Sequence, residues 1–550
     1  MVSQPVALHP VAAWIEAVKD PSSEFNHKLR QICADNENMR EQAAGMCVRA
    51  LEAFGRAYGT DAKAVVIRSA GRVNVLGTHI DHRGGTVNPV AVNHMWLVAA
   101  PRDDDRVVAG NVESDSFGDE SFRISASLPL GQKIHDWHLW CHDQFEKRAG
   151  DPSITWSTYV RAAVLYLQHW YTTDEDAFAP RLRGMNMMFY GDVPRAVGLS
   201  SSSAVVVAAA EAAVQLNGLD IPREELVTHC GYAERYVGTH GGCSDHGAII
   251  FGLCNGLTHL TAFPLTVGSS PLPKGYTFVL ANSLVPAVKR AGARNAFNSR
   301  IAAYKLGLMM IQSNFPQYAD KLRYLRDVHP KTLGVGEDEI YRIVRSLPVT
   351  ATRADVLRRL PDFEAEIRQT FRIHDEPAKG YPIRQICLYG ITECIRADMV
   401  SDCLRKGDIR RFGELMNISH DGDRVSRVVN GERVPADNSY PDERIDALIA
   451  DLASDDAERV EGARLWRQSG GYNVSLPAVD ALVDIALATP GVLGAGLVGA
   501  GMGGCIVALV ESGSAEQVIE NLAQQYYAPR NLQVAANVIT PVGGLHTFAL

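Results

Sequence analysis

The chain has 550 residues, 46% of them apolar and 21% charged, which suits two or three globular domains and excludes a disordered chain. A formal charge of −9 excludes a general nucleic-acid binder, which needs a basic face, but leaves room for a local basic pocket. Ten scattered cysteines without a C-x-x-C pair, no leader-like first segment and no apolar run long enough to span a bilayer point to a thiol-bearing protein of the cytoplasm, without a membrane partner.

Residues 1–60 read as helical, with apolar positions three and four apart. Val65 to Ile67 and Val73 to Leu76 read as short strands around glycine-rich turns, and residues 94–135 as a β-meander. Trp156 to Trp170 is a predicted helix. MNMMFYGDVP is a strand running into a loop, and GLSSSSAVVVAAAEAAVQLNG opens a helix at a serine cluster. Glu224 to Val237 is a further helix, then the loop GTHGGCSDHGAIIFG and the strand TFVLANS. A mainly helical stretch runs from about 295 to 420. Residues 427–470 are charge-rich and read as a surface insertion with one or two helices. The end alternates helix (Ala478 to Ala488), glycine turn, strand (Cys505 to Val510) and helix. Strands in clusters with separate helices make the class α+β.

Four segments carry chemistry. Gly198-Leu199-Ser200-Ser201-Ser202-Ser203 precedes an alanine- and valine-rich helix. The unpaired N–H groups and dipole of a helix start make an anion site, and serine hydroxyls can cap the helix or bind Mg²⁺. The bland alternative is an ordinary serine cap. No Gly-Lys dipeptide occurs, so a Walker A loop is excluded. Gly499-Ala500-Gly501-Met502-Gly503-Gly504 formally matches the dinucleotide fingerprint, but that fingerprint requires a following helix, and Cys505 to Val510 reads as a strand. A glycine loop packed close to another backbone or a ligand is the better reading. In GRVNVLGTHIDHRGG, residues His79, Asp81 and His82 suit either a metal or, better, a sugar, whose hydroxyls need several donors and acceptors on one loop. The fourth segment, Glu234 to His246, places acids in a glycine-rich loop, where they would cap a helix, take a proton or hold a metal.

In this order the four segments resemble the galactokinase branch of the GHMP small-molecule kinases: GRVNVLGTHIDHRGG, VPRAVGLSSSSA, ERYVGTHGGCSDH and GLVGAGMGGCIVALV. The resemblance runs from about Phe54 to the C-terminus. It implies two domains with the active site in the cleft between them: an N-terminal helical extension at 1–55, a first domain at 56–275 carrying the ATP and sugar motifs, and a second at 276–550 with the insertion at 427–470. It implies ATP phosphates on Gly198, Leu199, Ser200, Ser201, Ser202 and Ser203, and Mg²⁺ on Ser202 and Glu234. It also implies a catalytic Asp245 paired with Arg72, sugar contacts from Thr78, His79, Asp81, Gly242 and Phe297, and a close-packed glycine loop at Gly499, Gly501, Gly503 and Gly504. The activity implied is phosphorylation of the anomeric hydroxyl of a sugar.

Three departures from the family pattern stand out, the first two bearing on the substrate and the third on the geometry of the turn. Thr78 stands where galactokinases carry a glutamate that touches the C6 hydroxyl. Its loss removes a charge that would repel a C6 carboxylate, and the string GTHIDHRGG is also similar to galacturonokinases. Phe297 stands where the family often has tyrosine, and Ala70 replaces a proline. These departures point to a C6-modified galactose, most simply galacturonate, with galactose itself and N-acetylgalactosamine as the alternatives. A non-catalytic sugar sensor on the same scaffold is the rival, and Arg72, Ser202, Glu234 and Asp245 speak against it.

Overall fold

The computed structural model describes residues 6–129, 133–147, 155–171, 182–195, 197–238, 242–285 and 291–550. Ala196 of the serine motif and 239–241 of the acidic loop lie outside them. The two strands expected around Gly71 form one, β1 (Lys63–Leu76), in which Gly71 marks a register shift and not a turn. A Cβ on Gly71 would stand 2.7 Å from a Val193 methyl and 2.9 Å from the Leu199 carbonyl oxygen. Only glycine lets the strand press this close to the serine-rich loop. The Arg72 N–H donates to that carbonyl at 3.0 Å.

β2 (Thr86–Pro101) pairs antiparallel with β1. β3 (Arg106–Asn111) and β4 (Glu120–Arg123) follow, but the expected meander is broken. β5 (Met185–Gly191) enters between β2 and β3, antiparallel to the first and parallel to the second. Its methionines and Phe189 are buried on both faces, as a central strand requires. β6 (Gly256–Thr261) and β7 (Thr266–Pro271), absent from the sequence reading because their composition is polar, pair with each other and extend β2 at Thr86. With short pairings at His9–Pro10 and His546–Thr547 the sheet has nine strands.

Alternation along β1 sends side chains to two cores. Ala64 and Val66 face α1 (Val11–Lys19), α2 (Glu24–Ile32) and α3 (Glu37–Tyr58), where Trp14, Phe25, Trp96 and Phe548 interlock. Val65 and Ile67 face the opposite core, built on α4 (Ser157–Tyr171), α5 (Ser201–Asn217), α6 (Arg223–Ala233) and α7 (Ser244–Phe251). The α6 reading through Val237 is corrected at its end, where Glu234–Val237 tightens into a 3₁₀ turn.

The second half starts at β8 (Tyr276–Asn282) and continues through α8 (Ala291–Asn314), α9 (Ile383–Lys406) and α10 (Ile409–Asp423). The 427–470 stretch contains most of a hairpin, β9 (Ser426–Val429) and β10 (Glu432–Pro435), and then α11 (Asp442–Leu452). It is not confined to the surface, because Tyr440, Ile445 and Leu465 are buried in the core of this half. After α12 (Pro477–Leu487) come β11 (Val492–Leu497), β12 (Cys505–Glu511), α13 (Ala515–Leu522) and β13 (Ala536–Ile539). The second sheet is antiparallel, in the order β11-β12-β8-β13. Gly499 to Gly504 is the turn between β11 and β12. A strand therefore follows it, and the dinucleotide alternative is removed. No described helix is long and apolar enough to cross a membrane.

Candidate active site

One cavity of about 1000 Å³ gathers residues from β1 and the turn after it, the serine loop, the acidic loop, α8 and the β11–β12 turn. Among its lining groups is a carboxylate with three donors, Asp245. Arg72 Nε donates to Asp245 Oδ1 at 2.7 Å and Arg72 Nη2 to Oδ2 at 2.7 Å, the fork-on-fork arrangement that fixes a carboxylate in one plane. Ser200 Oγ also donates to Asp245 Oδ2, and Arg72 Nη1 donates to the Gly198 carbonyl. Arg72 is buried while the Asp245 side chain keeps 31% of its surface, directed into the cavity it lines.

The serine loop earns its shape from backbone constraints. Gly198 has φ +89° and Ser200, which precedes the first turn of α5, has φ +55°. A Cβ on Gly198 would lie 3.0 Å from the Val498 carbonyl, and one on Gly504 3.0 Å from the Val197 carbonyl. The glycine turn 499–504 therefore packs backbone against backbone on the serine loop, as its composition suggested. Ser201, Ser202 and Ser203 open α5, whose N-terminus faces the cavity with the N–H groups that an anion would use. The Leu199 side chain is buried, and its carbonyl is engaged by Arg72 N–H.

Ser202 and Glu234 both line the cavity, but the direct bond to Glu234 comes from the next residue: Ser203 Oγ donates to Glu234 Oε1 at 2.7 Å. Tyr159 lines the same cavity, and burial pushes its phenol up to about 12. His246 Nε2 lies 3.3 Å from Glu234 Oε1, a neighbour that the sequence reading did not assign.

At the other side of Asp245 lies the turn after β1. Asp81 accepts from His82 N–H at 2.8 Å and from Ser244 Oγ at 2.6 Å, and His82 Nδ1 lies at 3.1 Å. Burial alone would push the Asp81 carboxyl up, but these bonds outweigh it and hold the carboxyl well below its ordinary range. Burial pushes the His82 imidazole down, so near neutral pH it is an uncharged partner. His79 has φ +66°, stacks on Tyr472 with ring centres 4.2 Å apart, and faces Asp423 at 3.5 Å. Thr78 Oγ1 lies 3.0 Å from the Tyr389 hydroxyl. Gly242 passes so close to Asp81 that a Cβ there would meet Oδ2 at 2.2 Å. Phe297 lines the cavity from α8. His79 and His82 turn to different carboxylates, and no cluster of three or more metal-ligating side chains exists among the described residues, so the metal alternative for this turn falls away.

The sequence reading missed the remaining wall: Phe117, Phe145, Trp156, Tyr159 and Tyr190, with the Arg195 guanidinium 4.4 Å above the Phe117 ring. These aromatics are scattered over elements from β3 to β5 and share no spacing that would have grouped them.

Comparison with known proteins finds three matching family models. The GHMP kinases N terminal domain matches 158–253, the galactokinase galactose-binding signature 52–102, and the GHMP kinases C terminal domain 446–528. The chain thus carries both GHMP kinase domains together with the galactokinase signature. It is a phosphotransferase of the sugar-kinase type, with the α+β fold of N- and C-terminal domains. A galactokinase of Roseiflexus sp. (strain RS-1) is 29% identical over 477 residues, 86% of this chain and 90% of that protein. A galactokinase of Dictyostelium discoideum is 24% identical over 512 residues, 87% of each. The crystal structure of Lactococcus lactis galactokinase complexed with galactose has the same fold, with a TM-score of 0.61 at 22% identity over 90% of this chain and 98% of that one.

The tight approach of Gly242 yields a test of this GHMP kinase site. Gly242→Ala should displace Asp81 and Ser244, raising the sugar KM by about tenfold or more while the ATP KM stays within about twofold. Steady-state kinetics in each substrate measure both.

Proposed function

We propose that the chain is an ATP- and Mg²⁺-dependent sugar 1-kinase acting on galactose, giving galactose 1-phosphate and ADP. The observation that carries this reading is the Ser200–Asp245 contact. It sets a carboxylate at hydrogen-bond distance from the head of an anion-binding helix, within one cavity that also holds sugar-type donors and acceptors.

Phosphoryl transfer needs positioning and charge neutralisation more than covalent help from the protein. The N–H groups and hydroxyls of Ser200 to Ser203 hold the ATP phosphates at the start of α5. Glu234, Ser202 and Ser203 offer hard oxygen donors with one carboxylate, a set that fits Mg²⁺, which takes its other ligands from phosphate and water. Mg²⁺, when bound, neutralises charge on the terminal phosphates. The aromatic wall around Trp156 and Tyr159 receives the adenine. Arg72 and Ser200 hold Asp245 in one orientation, so that its free lone pairs meet the proton of the C1 hydroxyl. The C1 oxygen attacks the γ-phosphorus, the bond from that phosphorus to the bridging oxygen of ADP breaks, and the hydroxyl proton passes to Asp245 or through it to solvent. Asp81, held ionised, accepts from sugar hydroxyls, and His79 and Thr78 complete the sugar contacts.

Galactose is supported by the signature at 52–102 and by relatives that carry the name galactokinase. A galactose altered at C6, such as galacturonate, is the second reading, favoured by Thr78, whose neutral hydroxyl would not repel a carboxylate. The charge of the sugar side opposes it: Arg72 is engaged by Asp245, and His82 by Asp81.

Two measurements test the proposal. Asp245→Asn should lower kcat by about 10²–10⁴, the range for loss of a general base, and near-wild-type turnover would remove Asp245 from the reaction. A panel of galactose, galacturonate and N-acetylgalactosamine, followed by ADP release, should give galactose a kcat/KM at least about tenfold above the others. Preference for the uronate would move the assignment to the second reading, and no ADP release with any sugar would leave a sensor.

A further inference from the structure

Three consecutive residues of the sugar turn each meet a side chain from the second half of the chain. Gly77 N–H donates to Glu393 Oε1 at 2.9 Å, Thr78 Oγ1 lies 3.0 Å from the Tyr389 hydroxyl, and His79 Nε2 lies 3.5 Å from Asp423 Oδ1. Tyr389 and Glu393 are on α9 and Asp423 is on α10. Glu393 makes the firmest of the three contacts. Ser419 Oγ of α10 donates to the same Oε1 at 2.8 Å, and Arg396 Nε donates to Oε2 at 2.9 Å. Arg396 Nη1 donates onward to the Trp466 carbonyl at 3.1 Å and the Gln468 carbonyl at 2.7 Å. Glu393 and Arg396 are both 0% exposed, and the cavity wall stands between them and the sugar side.

A fully buried carboxylate–guanidinium pair is a poor device for stability, since hydrocarbon side chains of the same volume commonly serve as well or better. This pair does something hydrocarbon would not. It supplies a fixed acceptor to the N–H of a residue with little conformational choice. Gly77 has φ +91°, and a Cβ there would meet the Thr86 carbonyl at 2.3 Å. Two residues on, His79 is also in the left-handed region, at φ +66°. The backbone from Gly77 to His79 is thus anchored at its first N–H by Glu393, and the atoms presented to the cavity follow from that anchor.

We propose that Glu393, braced by Arg396 and Ser419, is a positioning residue for the sugar. It sets the placement of the Gly77–His79 turn, so that Thr78 and His79 meet the sugar in one arrangement, and it does so from outside the cavity. This rests on the reading of the cavity as a sugar-kinase site.

The test compares two double variants that remove both buried charges. Glu393→Gln/Arg396→Met keeps an oxygen for the Gly77 N–H, whereas Glu393→Leu/Arg396→Met removes it. The Gln/Met variant should keep the galactose KM within about threefold of wild type. The Leu/Met variant should raise it by about 10- to 100-fold, with the ATP KM within about twofold, as expected when a binding group is displaced by an ångström or less. A thermal-shift assay gives the same split without turnover: galactose should protect the Gln/Met protein and not the Leu/Met protein, while ATP protects both. If the Leu/Met protein does not fold, Ser419→Ala, which frees the carboxylate from one brace, should raise the galactose KM by about threefold with the ATP KM unchanged. A folded Leu/Met or Ser419→Ala protein with an unchanged galactose KM overturns the proposal, as does a parallel rise of both KM values. A wild-type chain that turns over no sugar overturns the function and this proposal together.

Discussion

Asp245 has its two carboxylate oxygens held by Arg72 and by Ser200, and the rest of the site is arranged around that junction. Arg72 comes from the first long strand, Ser200 from the loop that starts α5, and Asp245 from the first turn of another helix. If any one moved, the serine loop and the turn after β1 would cease to share an edge of the cavity. An ion pair of this kind gains from its partly enclosed setting, where a bidentate guanidinium holds a carboxylate in one plane more firmly than in water.

Close backbone approach is what permits the junction. Gly71 brings β1 against the Leu199 carbonyl, Gly198 meets the Val498 carbonyl, and Gly504 meets the Val197 carbonyl. Each contact is one that a methyl group would push apart. The three glycine-rich motifs are thus one packed unit in space, although they span residues 71 to 504. Behind the turn from Gly77 to His79, α9 and α10 supply a buried polar layer of Glu393, Tyr389 and Asp423, so that this turn is held from both halves of the chain.

What the sequence makes legible is what local chemistry encodes. Serines ahead of an alanine-rich run announce the start of a helix. The strand after Gly504 can be read from Ile506 to Val510 alone, and this suffices to set aside a dinucleotide fold. Residue-by-residue likeness to a family then places Arg72, Asp81, Gly242 and Asp245 in one pattern, and their side chains and backbones do meet. What stays hidden depends on pairing across distance. No local signal in residues 94–135 tells that β5 inserts between β2 and β3. The periodicity of α5 does not say which of two adjacent serines points at Glu234, and the bond falls on Ser203. Glu393 lies 316 positions beyond Gly77 on a helix whose pattern reads as ordinary core. The aromatic wall escapes for the same reason, since Phe117 and Trp156 become neighbours only once the sheet is assembled.

The most direct measurement of the account is a crystal structure of the chain with galactose and a non-hydrolysable ATP analogue. The terminal phosphate should lie on the N–H groups at Ser200 to Ser203, with the anomeric oxygen within hydrogen-bond reach of Asp245 and facing that phosphate. A nucleotide bound away from the serine loop, or a sugar that turns another hydroxyl toward Asp245, would contradict it.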